Sequence, residues 1–395
     1  MSLIQTSGFE LSELDDTVTR TGSNNSNLPI RRGLPMRIGL VEANIEHGWA
    51  FRAHVPAIEF LRTVLGTDIS ISAVSTSRTE SAHAAAAATG AEPFTSASAL
   101  ARFEAVDLVV VTVKVQAHSE LVSAAQAAGK HVLCEWPLGL DAAEAHSMSV
   151  RATSQHRGFV GLQSRFDPSA IALREMIAAG ELGDIQAVNA RSSRAKGAET
   201  ISAQSAYTLD RTSAAGTREV HTGHVLDLLD QVLGGIAVTG GTSRIHRRDY
   251  RVAGQALPVA ATAPDTVRVQ FDAGGALGSA LIWDGDDNAQ TVIDIQGSRG
   301  RASLFTLPVP TPIMRQVQMA PLAATFHPNG QPEPLTLPSS MPTIHLPGNP
   351  AATNIASQYL AIIDDLADGG SRTATFADAH RIHGYIEHIS EEPGI

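Results

Sequence analysis

The chain has 395 residues, 43% of them hydrophobic, and a formal net charge of −11. That length suits one large or two medium domains with a sizeable core. The acidic balance and the lack of any Lys/Arg-rich run exclude a nucleic-acid-binding surface, which needs clustered cations. A single cysteine, Cys134, excludes an internal disulfide and a multi-cysteine metal site, and it points to a reducing, cytoplasmic setting. The longest apolar runs, such as residues 108–113, are far too short to span a bilayer. Only three of the 29 basic residues are lysine: Lys114, Lys130 and Lys196.

Residues 1–35 are rich in Ser, Thr, Asn and Asp and read as a disordered leader, with Met36 standing where a second translation start would fall. Residues 36–155 alternate strand and helix patterns. Apolar runs at 37–41, 69–74, 105–112 and 131–134 read as strands, the third of them buried on both faces. Helical spacing covers 49–65, 79–89, 119–128 and 142–153. Strands alternating with helices mean crossover units and a parallel sheet. After about residue 185 the texture changes. Residues 266–272, 278–283 and 291–296 alternate apolar and polar, as half-buried antiparallel strands do, and Gly297–Gly300 makes a turn. Residues 308–350 hold 11 of the 20 prolines and read as an extended excursion, and two helices, 354–366 and 376–389, close the chain.

The first strand runs into Gly39-Leu-Val-Glu42-Ala-Asn44-Ile-Glu-His47-Gly48-Trp49. A dinucleotide fold places a glycine-rich turn here, where the diphosphate meets a helix N-terminus. Glutamate, asparagine and histidine stand at the three glycine positions. Asn44 tolerates left-handed angles, whereas Glu42 brings a side chain and a charge to the diphosphate. After the second strand, Ser75, Ser77 and Arg78 suit a 2′-phosphate, hence NADP over NAD; the other reading is a polar turn with Ser77 or Thr79 capping the next helix.

Taken in order, these features resemble the glucose–fructose oxidoreductase / inositol dehydrogenase / rhizopine-catabolism (Gfo/Idh/MocA) family. The segments that carry the resemblance are Ala128–Pro137 (AGKHVLCEWP), Val160–Pro168 (VGLQSRFDP), Ala178–Asp184, Gly223–Asp227 and Gly297–Gly300. The Asn44…Gly48-Trp49-Ala50 turn, Glu135-Trp136 and Gly223-His224 are similar to the branch that holds the yeast galactose-pathway repressor. The resemblance implies an N-terminal Rossmann domain over 36–155 and a domain with a large, mainly antiparallel sheet over 156–395. It also implies a cleft between them, sheet faces that pair in dimers or tetramers, and a small-molecule substrate.

Family enzymes move hydride between a nicotinamide and a carbinol carbon with a Lys, an Asp and a His. Carried onto this chain, those positions are Trp136, Val220 and His224. Glu135 and Pro137 remain as the nicotinamide-side turn, with Gly39, Asn44, Gly48 and Trp49 on the cofactor side. Lys114, at the end of the most buried strand, is the candidate for the missing ammonium, acting with His224; the competing account is a surface lysine bonding a helix end or Glu135. Lys130 reads as structural and Lys196 as a solvated loop residue. Trp136 offers a flat surface for stacking on a substrate, and Arg165, His221 and Asp227 are further substrate contacts. A metal site is not expected, and His54 and Cys134 read as packing residues. Two functions follow: an NAD(P)-dependent oxidoreductase for a sugar-like molecule, or a non-catalytic dinucleotide- or sugar-binding regulator. A scaffold with a dead nucleotide site is the third.

Overall fold

The computed structural model describes residues 35–392 except 46–47, 198–199, 310, 312–313, 329–332, 336–343 and 347. The leader, apart from Pro35, and His47 lie outside the described residues, as do parts of the proline-rich segment.

Six parallel strands form the first sheet: β1 (Met36–Val41), β2 (Ile69–Ser75), β3 (Glu92–Phe94), β4 (Leu108–Val111), β5 (His131–Glu135) and β6 (Gly158–Gly161). Their order is β3-β2-β1-β4-β5-β6, the doubly wound arrangement whose crevice opens at the carboxyl ends of β1 and β4. The strands are nearly continuous apolar runs because helices cover both faces. Those helices are α1 (Val55–Thr63), opened by a π turn at Ala50–His54, α2 (Thr79–Thr89), α3 (Ala97–Arg102), α4 (His118–Ala127) and α5 (Ala142–Ser149). Ser77 and Thr79 do not cap α2; Arg78 takes that place without a side-chain bond, and Thr76 Oγ1 donates to the Arg78 carbonyl.

After α6 (Pro168–Ala178) comes a nine-stranded mixed sheet built around β7 (Ile185–Arg194). Its other strands include β8 (Ala237–Arg244), after α7 (Thr222–Leu233), and then, past the short pair β9 (Asp249–Tyr250) and β10 (Val259–Ala260), β11 (Thr266–Ala273), β12 (Ala276–Asp284), β13 (Thr291–Gly297) and β14 (Arg301–Thr306). β7 runs parallel to β12 and antiparallel to β13. The expected proline-rich excursion contains a six-residue ladder partner, β15 (Leu322–His327), antiparallel to β14. Its alternation survives between prolines because none falls inside it. The closing helices are α8 (Pro350–Asp368) and α9 (Phe376–Glu387). α8 packs Ile355, Tyr359 and Ile362 into the core of β1 and α1, whereas α7 and the inner face of the large sheet share a second core with β4 and β5. No helix among the described residues is long and apolar enough to cross a membrane.

Candidate functional site

The turn after β1 keeps a left-handed, tight shape although its three expected glycine positions hold Glu42, Asn44 and His47. Glu42 has φ 61°, a left-handed angle that a glycine would adopt without strain. A side chain at Gly48 would stand 2.6 Å from the Asn44 carbonyl, and the Gly48 amide bonds that carbonyl, so the turn stays tight as it enters the helix. Ser75 is buried, and Ser77 and Arg78 are exposed at the end of β2. These residues fit a dinucleotide: a left-handed turn at a helix N-terminus, with Ser77 and Arg78 exposed past the end of β2. Gly39 is different. It lies inside β1, and a Cβ there would meet Leu100 at 2.6 Å, so its small size serves packing rather than the cofactor.

Glu135 ends β5 and is held from two sides. Its carboxylate meets His54 Nε2 at 3.0 Å and accepts from Gln163 Nε2 at 3.0 Å, while His54 Nδ1 shares a 2.8 Å bond with the Tyr359 hydroxyl. His54 is therefore more than a packing residue; it fixes the acid at the end of β5. The Pro137 carbonyl lies 2.9 Å from His118 Nδ1, and Cys134 Sγ packs against the same ring. Trp136 is not a stacking surface for a ligand. It is 6% exposed, its Nε1 donates to the Glu219 carbonyl at 3.0 Å, and its ring packs on His383 with centroids 4.6 Å apart. A Cβ on Gly223 would lie 2.2 Å from the indole, so that glycine is what lets Trp136 in. Arg165 and Asp227 are also withdrawn from substrate, because they form a buried two-bond pair with each other.

Lys114 is exposed at the end of β4, with its ammonium 4.4 Å from the centre of the Tyr207 ring. It joins the end of β4 to the turn at Ala203–Leu209 through a cation–π contact with Tyr207. Lys130 donates to the Phe103 and Val106 carbonyls and is structural, as expected.

Lys196 is the lysine that sequence reading undervalued. On its inner face β7 reads Val188, Ala190, Ser192, Arg194: apolar where α7 covers it, polar beyond the helix start. Arg194 is in register with Asp284 at the end of β12, and its Nε and Nη2 donate to that carboxylate at 2.8 and 3.1 Å. The Thr217 hydroxyl donates to the same oxygen that Lys196 Nζ approaches at 3.6 Å. Burial pushes the Lys196 amine down to about 8, against the pull of Asp284. Burial alone would raise Asp284, but Arg194 and Lys196 hold it below the usual carboxylate range.

Two histidines at the head of α7 complete the cluster. Ser192 Oγ lies 2.7 Å from His221 Nε2 and 2.6 Å from Thr291 Oγ1. Burial, then the Arg194 charge, depresses both imidazoles, His224 to about 3. Nδ1 of each ring is buried without a protein partner. Sequence spacing brought His221 and His224 together but missed Ser192, Arg194, Thr217, Asp284 and Thr291. The one available signal was the polar run Ser192-Ser-Arg-Ala-Lys196 closing a strand.

A doubly wound sheet of the nucleotide-binding type joined to a large mixed sheet is the two-domain architecture of dinucleotide-dependent dehydrogenases. Residues 45–162 match the family model GFO_IDH_MocA, described as an oxidoreductase family with an NAD-binding Rossmann fold. Over these residues the chain resembles the Gfo/Idh/MocA family. A dehydrogenase of Aspergillus oryzae, AclE, is 34% identical over 203 residues, 50% of this chain and 55% of the relative. The galactose/lactose regulatory protein Gal80 of Saccharomyces cerevisiae is 29% identical over 39% of this chain and 37% of its own length. A super-repressor mutant of Gal80p superposes with a TM-score of 0.74 at 21% identity, over 90% of this chain and 95% of that one. A levoglucosan dehydrogenase, solved with NADH and levoglucosan, gives 0.73 at 16% identity over 89% and 95%. The sequence match thus spans about half, or less, of the lengths of these two curated relatives, and the structural likeness carries the fold.

Proposed function

We propose that this protein is an NAD(P)-dependent oxidoreductase acting on the hydroxyl/carbonyl pair of a small polar molecule, a sugar derivative. The observation that carries the reading is His224, a buried imidazole with an unpartnered ring nitrogen at the head of α7, beside the Arg194–Asp284 cluster. Kept neutral by burial, it suits a hydrogen bond to a substrate oxygen better than an ion pair. A bound nicotinamide would supply or take the hydride. The left-handed turn at Glu42, Gly48 and Trp49 would hold the diphosphate, and exposed Arg78 favours NADP over NAD. Glu135, clamped by His54 and Gln163, would orient the nicotinamide side. Lys114 and Tyr207 would close the cleft over substrate and exclude water. The regulator reading draws on one observation, the loss of the family lysine to Trp136. The single cysteine, fully buried at Cys134, suits a cytoplasmic protein, and the open face of the large sheet suits pairing with a second copy.

The test is a thermal shift with NADP(H) and NAD(H), followed by oxidation of levoglucosan and myo-inositol. Saturation at a hundredfold over Kd should add about 2.7 kcal/mol of stability, and turnover should follow. No shift with either cofactor ends both the enzyme and the dinucleotide-sensor reading; binding without turnover favours the regulator.

A further inference from the structure

The family position for the proton-handling lysine holds Trp136, and the partner aspartate position holds Val220, so proton transfer needs another home. His224 does not provide it. An imidazole pushed to about 3 is a weak base, fit to donate or accept one hydrogen bond to the substrate oxygen. Lys114 does not provide it either, since it is exposed and spends its charge on the Tyr207 ring. Lys130 is occupied at the far end of the sheet by two carbonyls.

Lys196 has the right setting. Its side chain is 18% exposed and sits beyond the end of β7, in the cluster that contains His221, two positions past the residue that pairs with Asp284. Its two polar contacts are long: Asp284 Oδ2 at 3.6 Å and the Thr208 carbonyl at 3.4 Å. The second comes from the same Ala203–Leu209 turn that Lys114 meets through Tyr207, so the amine lies against the turn that also reaches the carboxyl end of β4. Asp284 carries two bonds from Arg194 and one from Thr217, which anchors a carboxylate beside the amine.

We propose that Lys196, supported by Asp284, takes up the carbinol proton in this chain and replaces both missing family residues. The inference rests on the oxidoreductase reading above. In the oxidative direction the carbinol C–H bond breaks and its hydrogen leaves as hydride to the nicotinamide. The O–H bond breaks, its proton passes to the free amine of Lys196, and the electron pair left on oxygen closes the carbonyl. The ammonium formed faces the Asp284 carboxylate and gives its proton to water when product leaves. Reduction runs the same steps backwards.

The groups that face the amine set its titration. Burial lowers it, with Arg194 acting the same way; Asp284 and Asp265 raise it. His221 feels its charge, and the Tyr250 ring packs at Gly197 next door. Below about 8 the amine holds its proton and cannot accept another; above that it is free. Oxidation should therefore rise with pH through about 8 and then level, as a base requires.

The experiment uses the full chain with acetic anhydride as the probe. Competitive acetylation between about pH 6 and 11 is read by mass spectrometry at three lysines only, against the ordinary lysine midpoint of about 10.4. Lys196 should label with a midpoint near 8, lower still in Asp284→Asn, and be protected by NADP⁺ with levoglucosan. Lys196→Arg, which keeps the cation and the bond to Thr208, should lose about a hundredfold or more in levoglucosan turnover together with the pH rise. A merely structural lysine would leave that variant active. Lys196 labelling at the ordinary midpoint, or full turnover by Lys196→Arg, overturns the proposal. Absence of turnover in the unaltered protein counts against the oxidoreductase reading instead, and the labelling still decides the state of the amine.

Discussion

Glu42 is the residue at which the nucleotide turn departs most from a glycine-rich turn. A side-chain-bearing residue in the left-handed region costs about 1–2 kcal/mol, yet Glu42 holds φ 61° there. The surrounding bonds impose it: the Ala43 amide reaches the Ser75 carbonyl, and the Asn44 amide turns back to the Glu42 carbonyl at 2.8 Å. Glu42→Gly removes the strain and the carboxylate together. Stability should change little, because the gain is offset by about 0.4–1 kcal/mol of added unfolded-state freedom. NADP⁺ affinity should tighten about tenfold, or 1.4 kcal/mol, as one repulsion with the diphosphate is lost. Titration of NADP⁺ by fluorescence measures this, and an unchanged or weaker Kd would mean that the carboxylate points away from the phosphates or assists them. The turn and its damaged glycines were legible in the sequence. The ranking of the lysines was not, because Lys114 and Lys196 both follow strand ends and only the pairing of β7 with β12 buries one beside Asp284.

Elements with strong periodicity were legible. The alanine-rich pattern at 79–89 is α2 to the residue, and 266–272 is β11 with one residue added. β7 and β8 do not stand out in the sequence because their buried faces turn small or polar, Ala190, Ser192 and Arg194 on β7 and Ser243 on β8, so the apolar half of the alternation is weak. The junction between elements was read with the wrong role for Trp136. Its indole fills the space that Gly223 leaves on α7 and bonds the backbone one turn earlier at Glu219, so it wedges β5 against α7 and α9. Gly223→Ala should destabilise by about 1–3 kcal/mol through overpacking, despite alanine's better helix propensity. Trp136→Phe should cost less in the alanine background than in the parent, a coupling of about 0.5–3 kcal/mol. Urea unfolding of the four proteins of this cycle reads it directly, and additive losses would show that the two residues do not press on each other.

At the scale of the whole molecule, the large sheet is buried on one side and open on the other. Val188, Ala190, Phe271, Ala280 and Ile282 face α6 and α7, while the alternate positions carry Ala187, Asn189, Arg268, Gln270, Leu277 and Leu281 outward. Leu277 is 78% exposed and Leu281 46%, in register across from Ala187 and Arg191 on β7. Exposed leucines among small and polar neighbours, on a sheet face that no helix among the described residues covers, are the pattern of a face that pairs. Nine strands spaced about 4.8 Å apart make it roughly 40 Å wide, ample for the roughly 800 Å² per partner of a stable interface. The polar cluster at Lys196 and His224 lies on the opposite face, so assembly and chemistry are separable. Leu277→Asp with Leu281→Asp should turn a dimer or tetramer into a monomer in sedimentation velocity at micromolar concentration, with the NADP⁺ thermal shift retained. A parent protein that already sediments as a monomer would remove the pairing role of this face, and a double variant that stays assembled would move the interface elsewhere on the chain.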